Sequence, residues 1–126
     1  MAPSAEDIRK TVERYIEAVA TGTADDVVAL YAEGATVEDP VGTEPRTSVE
    51  SLREFYGVIE PLKQTGELLT LKIAGNSAAF HFSLVTDLGE QKLEIAPIDV
   101  MTFDDDGKIT TMRAFWDPAE MRPAED

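Results

Sequence analysis

The chain has 126 residues, no cysteine, one histidine (His81) and a formal net charge of −14. That length fits a single domain, 1–126, with its own core and room for a ligand cavity. The missing cysteines exclude disulfides, thiol catalysis and zinc-thiolate sites, and one histidine excludes a histidine metal cluster. So acidic a chain repels phosphate backbones and anionic lipid, so nucleic acid and membrane are not expected partners. No apolar run approaches a membrane span and no basic, apolar leader is visible, which points to a soluble cytoplasmic protein. No internal repeat or low-complexity tract is present.

Ser4-Ala5-Glu6-Asp7 reads as a helix start with an acid at the third helical position. Ile8, Val12, Tyr15, Ile16 and Val19 then form one helical stripe that Gly22 ends. Tyr15 lies inside that stripe, so its hydroxyl points inward and needs a partner; an ordinary core tyrosine bonded to a carbonyl satisfies the same pattern. Thr23-Ala24-Asp25-Asp26 repeats the capping pattern. It predicts a short helix running to Gly34, with Val27, Leu30 and Tyr31 facing inward. Ala35–Gly42 reads as a short strand entering a turn, where Asp39 before Pro40 is biased to an extended conformation. An acid there is placed to look across a cavity mouth, or to serve as a simple turn residue. A third helix opens at Thr47-Ser48-Val49-Glu50, turns Leu52, Phe55, Tyr56 and Ile59 inward, and closes at Pro61.

From Glu67 the pattern becomes strands. Leu69–Ala74, the hairpin signal Gly75-Asn76 and Ser77–Thr86 follow in order, with Phe80, Phe82 and Leu84 on one face and His81 on the other. The run Leu93–Phe103 reads as the central strand. One of its faces carries Leu93, Ile95, Pro97, Asp99, Met101 and Phe103, a carboxyl among apolar side chains. An unpaired buried carboxylate is costly, so Asp99 either pairs with a hidden cation, turns outward at a bulge near Pro97, or stays neutral at a functional site. Asp104-Asp105-Asp106-Gly107 superficially suggests calcium. Thr102 and Arg113 stand where an EF-hand loop needs ligands, so a solvated turn is expected. Lys108–Trp116 is the last strand, with Met112, Ala114 and Trp116 on one face, and the acidic tail from Asp117 is expected to fray. Three helices followed by strands predict an α+β fold, helices on one face of a curved sheet with an apolar pocket between.

With Tyr15, Asp39 and Asp99 in place, the chain resembles the ketosteroid isomerases, the bacterial steroid Δ5-isomerases. The likeness covers nearly the whole length. It is strongest in VALYAEGATVEDPVGTEPR (28–46), LREFYG (52–57), APIDVMTFDDDGKI (96–109) and TMRAFW (111–116), and residues 58–72 depart most from the family pattern. The resemblance implies a conical, nuclear transport factor 2-like (cystatin-like) fold with three N-terminal helices on a curved mixed or antiparallel sheet, usually a homodimer, with no cofactor and no metal. It implies conversion of 3-oxo-Δ5-steroids to 3-oxo-Δ4-steroids. In that reaction Asp39 is the proton-shuttling base, Tyr15 is an oxyanion donor and Asp99 is a second, protonated donor. Tyr56 and Tyr31 match the supporting hydrogen-bond network, and Val19, Phe82, Ile95, Met112 and Trp116 match the steroid cavity lining. The fold also hosts dehydratases, cyclases and epoxide hydrolases, many of which need a His–Asp or Asp–Arg–Asp arrangement. A non-catalytic module for steroids or other flat apolar ligands, or a domain that only dimerises, is a further alternative.

Overall fold

The computed structural model describes residues 3–124. Its elements are α1 (Ala5–Thr21), α2 (Ala24–Val28), β1 (Tyr31–Glu38), α3 (Val49–Ile59), β2 (Lys63–Ala74), β3 (Ser77–Asp87), β4 (Lys92–Ile95), β5 (Ile98–Phe103), β6 (Ile109–Phe115), a 3-10 turn (Pro118–Glu120) and β7 (Arg122–Pro123). Each helix start is capped as its local sequence demands. Ser4 accepts from the Asp7 N–H, Thr23 forms a reciprocal box with Asp26, and Ser48 does so with Ser51. Ion pairing of Arg53 with Asp25 (2.8 Å) and a bond from the Ala24 N–H to Glu60 Oε1 (2.6 Å) tie α2 to α3.

The strands form one curved, unclosed mixed sheet in the order β1-β6-β5-β3-β4-β7, with β2 on the other edge of β3. The β1–β6 pair is parallel; the others are antiparallel. Helix α1 lies close on β2 because Gly66 carries no side chain there: a Cβ would come within 2.7 Å of Ile16 Cγ2. The core between helices and sheet joins the α1 stripe to Val37, Phe80, Phe82, Met101, Phe103, Ile109 and Met112.

Three expectations are corrected. The helix of α2 ends at Val28, and Tyr31 opens β1 instead. Gly34, at φ +78°, marks a register shift inside that strand, not a helix terminus. The parallel pairing with β6 takes this segment into the sheet. The tail is structured as well: Leu93 and Glu94 pair with Pro123 and Arg122, and the Ala124 N–H donates to the Lys92 carbonyl (2.8 Å). Strand β2 starts six residues earlier than expected, at Lys63, because Gln64, Gly66 and Leu68 alternate inward opposite β3.

The Leu93–Phe103 run is divided into β4 and β5 at Ala96-Pro97, where proline cannot donate to a ladder. Even so, its register along β3 does not slip. Leu84 opposes Ile95, His81 opposes Ile98, and Pro97 accepts from the Phe82 N–H between them (3.2 Å). Alternation therefore carries through the break, and Asp99 stays on the inward face with Met101 and Phe103, only 1% exposed. His81 falls on the opposite face from Phe80 and Phe82, as alternation requires. Among the described residues no helix is long and apolar enough to cross a membrane.

Candidate active site

A cavity of about 390 Å³ opens between the helices and the concave face of the sheet. Helix α1 contributes Tyr15 and Val19, one turn apart on its inward stripe, and α3 contributes Phe55, Tyr56 and Ile59. The inward residues Phe82, Leu84 and Thr86 of β3 line it side by side with Leu93, Ile95, Pro97 and Asp99 of the adjoining β4–β5 segment. Ala114 and Trp116 follow on the β6 side, and the exposed side chains of Leu62, Leu88 and Met121 form the rim. Of the expected lining, Val19, Phe82, Ile95 and Trp116 face this cavity. Met112 does not: it opposes Met101 and Val37 in the sheet and is packed into the core, 1% exposed.

Three tyrosines form a chain behind one wall. The hydroxyls of Tyr15 and Tyr56 lie 3.2 Å apart, and those of Tyr56 and Tyr31 lie 2.9 Å apart. Only Tyr15 and Tyr56 reach the cavity; Tyr31 stands at the far end of the chain. Burial, reinforced by neighbouring acidic groups, raises the pKa of each well above the ordinary tyrosine range, so all three are neutral donors at physiological pH.

The two carboxyls of the cavity are held differently. Asp39 follows the last residue of β1. The turn after it is fixed by the Val41 N–H on the Ala114 carbonyl (2.8 Å) and by Glu38, which accepts from Gly42 N–H and Arg113 Nε (both 3.0 Å). Its Oδ1 accepts from Trp116 Nε1 at 2.7 Å. Burial raises the Asp39 pKa from its ordinary value, and the Trp116 bond and the Arg46 charge pull against that rise. Asp99 has no such help. Its Oδ1 is buried and has no hydrogen-bond partner among the described residues. Burial, with the Asp39 charge added, raises its pKa well above the ordinary value. Among the described residues no cation pairs with Asp99, and no bulge turns it outward, as it is 1% exposed.

Two residues near the site were not singled out from sequence. Arg46 pairs its backbone with Val37 (2.9 and 2.8 Å), which lays its guanidinium 3.9 Å over the Phe55 ring and within electrostatic reach of Asp39. Gln64 lines the cavity from β2 and donates from Nε2 to Thr86 Oγ1 at 2.9 Å. Arg46 lies in a loop and Gln64 in a polar run, so local pattern marks neither; pairing with β1 sets Arg46 beside Phe55, and pairing with β3 brings Gln64 to the cavity.

The SnoaL-like domain family model matches residues 12–112. A protein named Steroid Delta-isomerase from Nocardioides simplex is 46% identical over 115 residues, covering 91% of this chain and 94% of that one. Among solved structures, the epoxide hydrolase/cyclase-like enzyme SalBIII, with a role in pyran ring formation in the polyether salinomycin, superposes with a TM-score of 0.85. It is 28% identical, and the match covers 94% of this chain and 97% of SalBIII.

Proposed function

The chain belongs to the SnoaL-like domain family and, within it, to the steroid Δ-isomerases, and we propose from that premise that it converts 3-oxo-Δ5-steroids to their conjugated 3-oxo-Δ4 isomers. The observation that carries the reading is Asp99, a buried acid with an unpartnered oxygen in an apolar cavity that also holds a better-stabilised carboxyl, Asp39. An isomerase of this kind needs one base that takes a proton beside the ketone and returns it two carbons along. It also needs donors where the ketone oxygen becomes negative.

Asp39, ionised at rest, takes and returns the proton. Its Oδ1 is held by the Trp116 N–H, and the other oxygen takes the proton. Tyr15 and protonated Asp99 donate to the ketone oxygen as charge builds on it. Tyr15 can then accept from Tyr56, and Tyr56 from Tyr31, so the donor chain runs toward the oxyanion. Keeping a carboxylic acid neutral as a hydrogen-bond donor is an established device of ketosteroid isomerases. The substrate provides both proton and acceptor carbon, so this scheme needs no cofactor or metal.

Purified protein incubated with a 3-oxo-Δ5-steroid, without cofactor and after chelation, is expected to produce the ultraviolet absorbance of the conjugated enone. Activity abolished by a chelator and restored by a divalent ion, or no turnover at high enzyme concentration, would overturn the proposal. The likeness to SalBIII favours a second reading, ring closure or epoxide opening by the same two carboxyls, which would give product from an epoxide but none from the enone precursor.

The proposal includes a homodimer. On the outer sheet face Ile98 and Phe115 are register partners, 46% and 43% exposed, with Arg113 5.2 Å over the Phe115 ring. An apolar pair of this kind on an otherwise acidic molecule suits a self-complementary contact. Sedimentation showing monomer at micromolar concentration would remove that part.

A further inference from the structure

The cavity has polar groups at both ends. At one end stand Tyr15 and Asp99; toward the rim stand Gln64 and Thr86, next to the rim residues Leu62 and Leu88. Gln64 Nε2 donates to Thr86 Oγ1, and Gln64 Oε1 is buried with no partner among the described residues. An unpaired buried acceptor is costly, and the cavity wall is where a ligand can satisfy it. Thr86 Oγ1 accepts the amide bond, which leaves the hydroxyl its own proton to donate. The pair therefore offers one acceptor and one donor.

The spacing suits a long, flat ligand. Asp99 opposes Phe80 on β3, and Gln64 opposes Thr86 six residues further along the same strand. At about 3.3 Å per residue that is roughly 20 Å of strand, shortened in a straight line by the curvature of the sheet. Four fused rings span on the order of 10 Å at ordinary carbon bond lengths, and a hydrogen bond of about 3 Å at each end fills much of the rest.

We infer that Gln64 and Thr86 form a terminal subsite that recognises a hydroxyl at the end of the steroid away from its ketone, making a 17-hydroxy-3-oxosteroid the preferred substrate class. A hydroxyl donates to Gln64 Oε1 and accepts from Thr86. A 17-ketone leaves the glutamine oxygen unpaired, and an unsubstituted ring leaves both groups unpaired. The inference rests on the steroid reading above and adds the discriminating end to it.

The test measures binding and not turnover. Trp116, the only tryptophan of the chain, lines the cavity and reports occupancy by fluorescence. Titration with 17β-hydroxy-, 17-oxo- and 17-unsubstituted 3-oxo-Δ4-steroids should give Kd values rising in that order, the hydroxy compound binding about fivefold to tenfold tighter than the unsubstituted one, as one or two neutral hydrogen bonds supply. Gln64→Leu should bring the hydroxy and oxo values together, with the unsubstituted compound still the weakest. Thr86→Val, which removes the donor and keeps the shape, should narrow the gap without closing it. Equal Kd values in the wild type overturn the subsite, as does tighter binding of the ketone, since that places the amide N–H groups toward the ligand. Hydroxyl-selective binding without isomerisation in the enone assay would sustain the subsite and remove the catalytic proposal; turnover without selectivity would do the reverse.

Discussion

Two carboxyls share one cavity and differ in what their neighbours donate. Asp39 receives the Trp116 N–H and lies in the field of Arg46; Asp99 Oδ1 has no donor among the described residues, and burial and the Asp39 charge both act on it. The acid lacking donors is held the more firmly in its neutral form, and the supply of donors sets apart two aspartates in one apolar lining. In the proposed mechanism this pairing of unlike environments divides base from acid without changing the residue type.

The comparison is broken most severely at the base. Asp39→Asn keeps the shape and removes the proton acceptor, and turnover should fall at least roughly 100- to 10,000-fold. A steroid product analogue should still bind, because the apolar lining is intact. Near-normal turnover would assign the base elsewhere.

The donors come next. Asp99→Ala should lose roughly 100- to 1,000-fold in turnover, the usual cost of one oxyanion donor, and Asp99→Asn should lose less because an amide still donates. Tyr15→Phe should lower kcat with little change in KM, since its bond strengthens only as charge develops. A change confined to KM would show that Tyr15 holds the ground state equally well.

The environment of Asp39 can also be altered without touching the acid. Trp116→Phe removes the strongest influence opposing the rise of its pKa, so the acidic limb of kcat/KM should move to higher pH. Arg46→Met removes a weaker one and should move the limb the same way by less. A limb that stays put in both variants would mean that a different group titrates there.

How much of this could be read from the chain alone follows from the range of each interaction. Capping acts within one turn, so Ser4 and Thr23 were legible as helix starts, and the third start was legible to within one residue, Ser48 with Ser51 forming the box in place of Thr47 with Glu50. The face of Asp99 was legible because alternation survives the Pro97 break. Tyr31 was misplaced because a glycine three residues on looks the same ending a helix as it does bending a strand. The choice is made by pairing with β6, nearly eighty residues away. A two-residue strand such as β7 has no periodicity to detect. The bond from Trp116 to Asp39 spans 77 residues and has no local trace, although the resemblance placed both residues in one cavity.

The smallest effect is on stability and isolates Asp99 from catalysis. In the unfolded chain this carboxyl ionises near the ordinary aspartate value of about 4. In the folded protein burial and the Asp39 charge raise its pKa well above that. Between the two values the folded state holds one proton more than the unfolded state, so stability falls as pH rises, by up to about 1.4 kcal/mol per pH unit from this group alone. The fall begins near the unfolded pKa and ends once pH passes the folded one. Asp99→Asn has no proton to lose and escapes this slope. Urea unfolding of wild type and Asp99→Asn across pH 4 to 8 should therefore give curves that diverge with rising pH, the variant the more stable at neutrality. Asp39→Asn, whose carboxyl is raised less because Trp116 and Arg46 oppose the shift, should show a weaker version of the same divergence. Parallel curves for Asp99→Asn would mean that the folded carboxyl ionises as readily as the unfolded one. Asp99 would then be an anion facing the ketone oxygen, and its role as a donor would have to be abandoned.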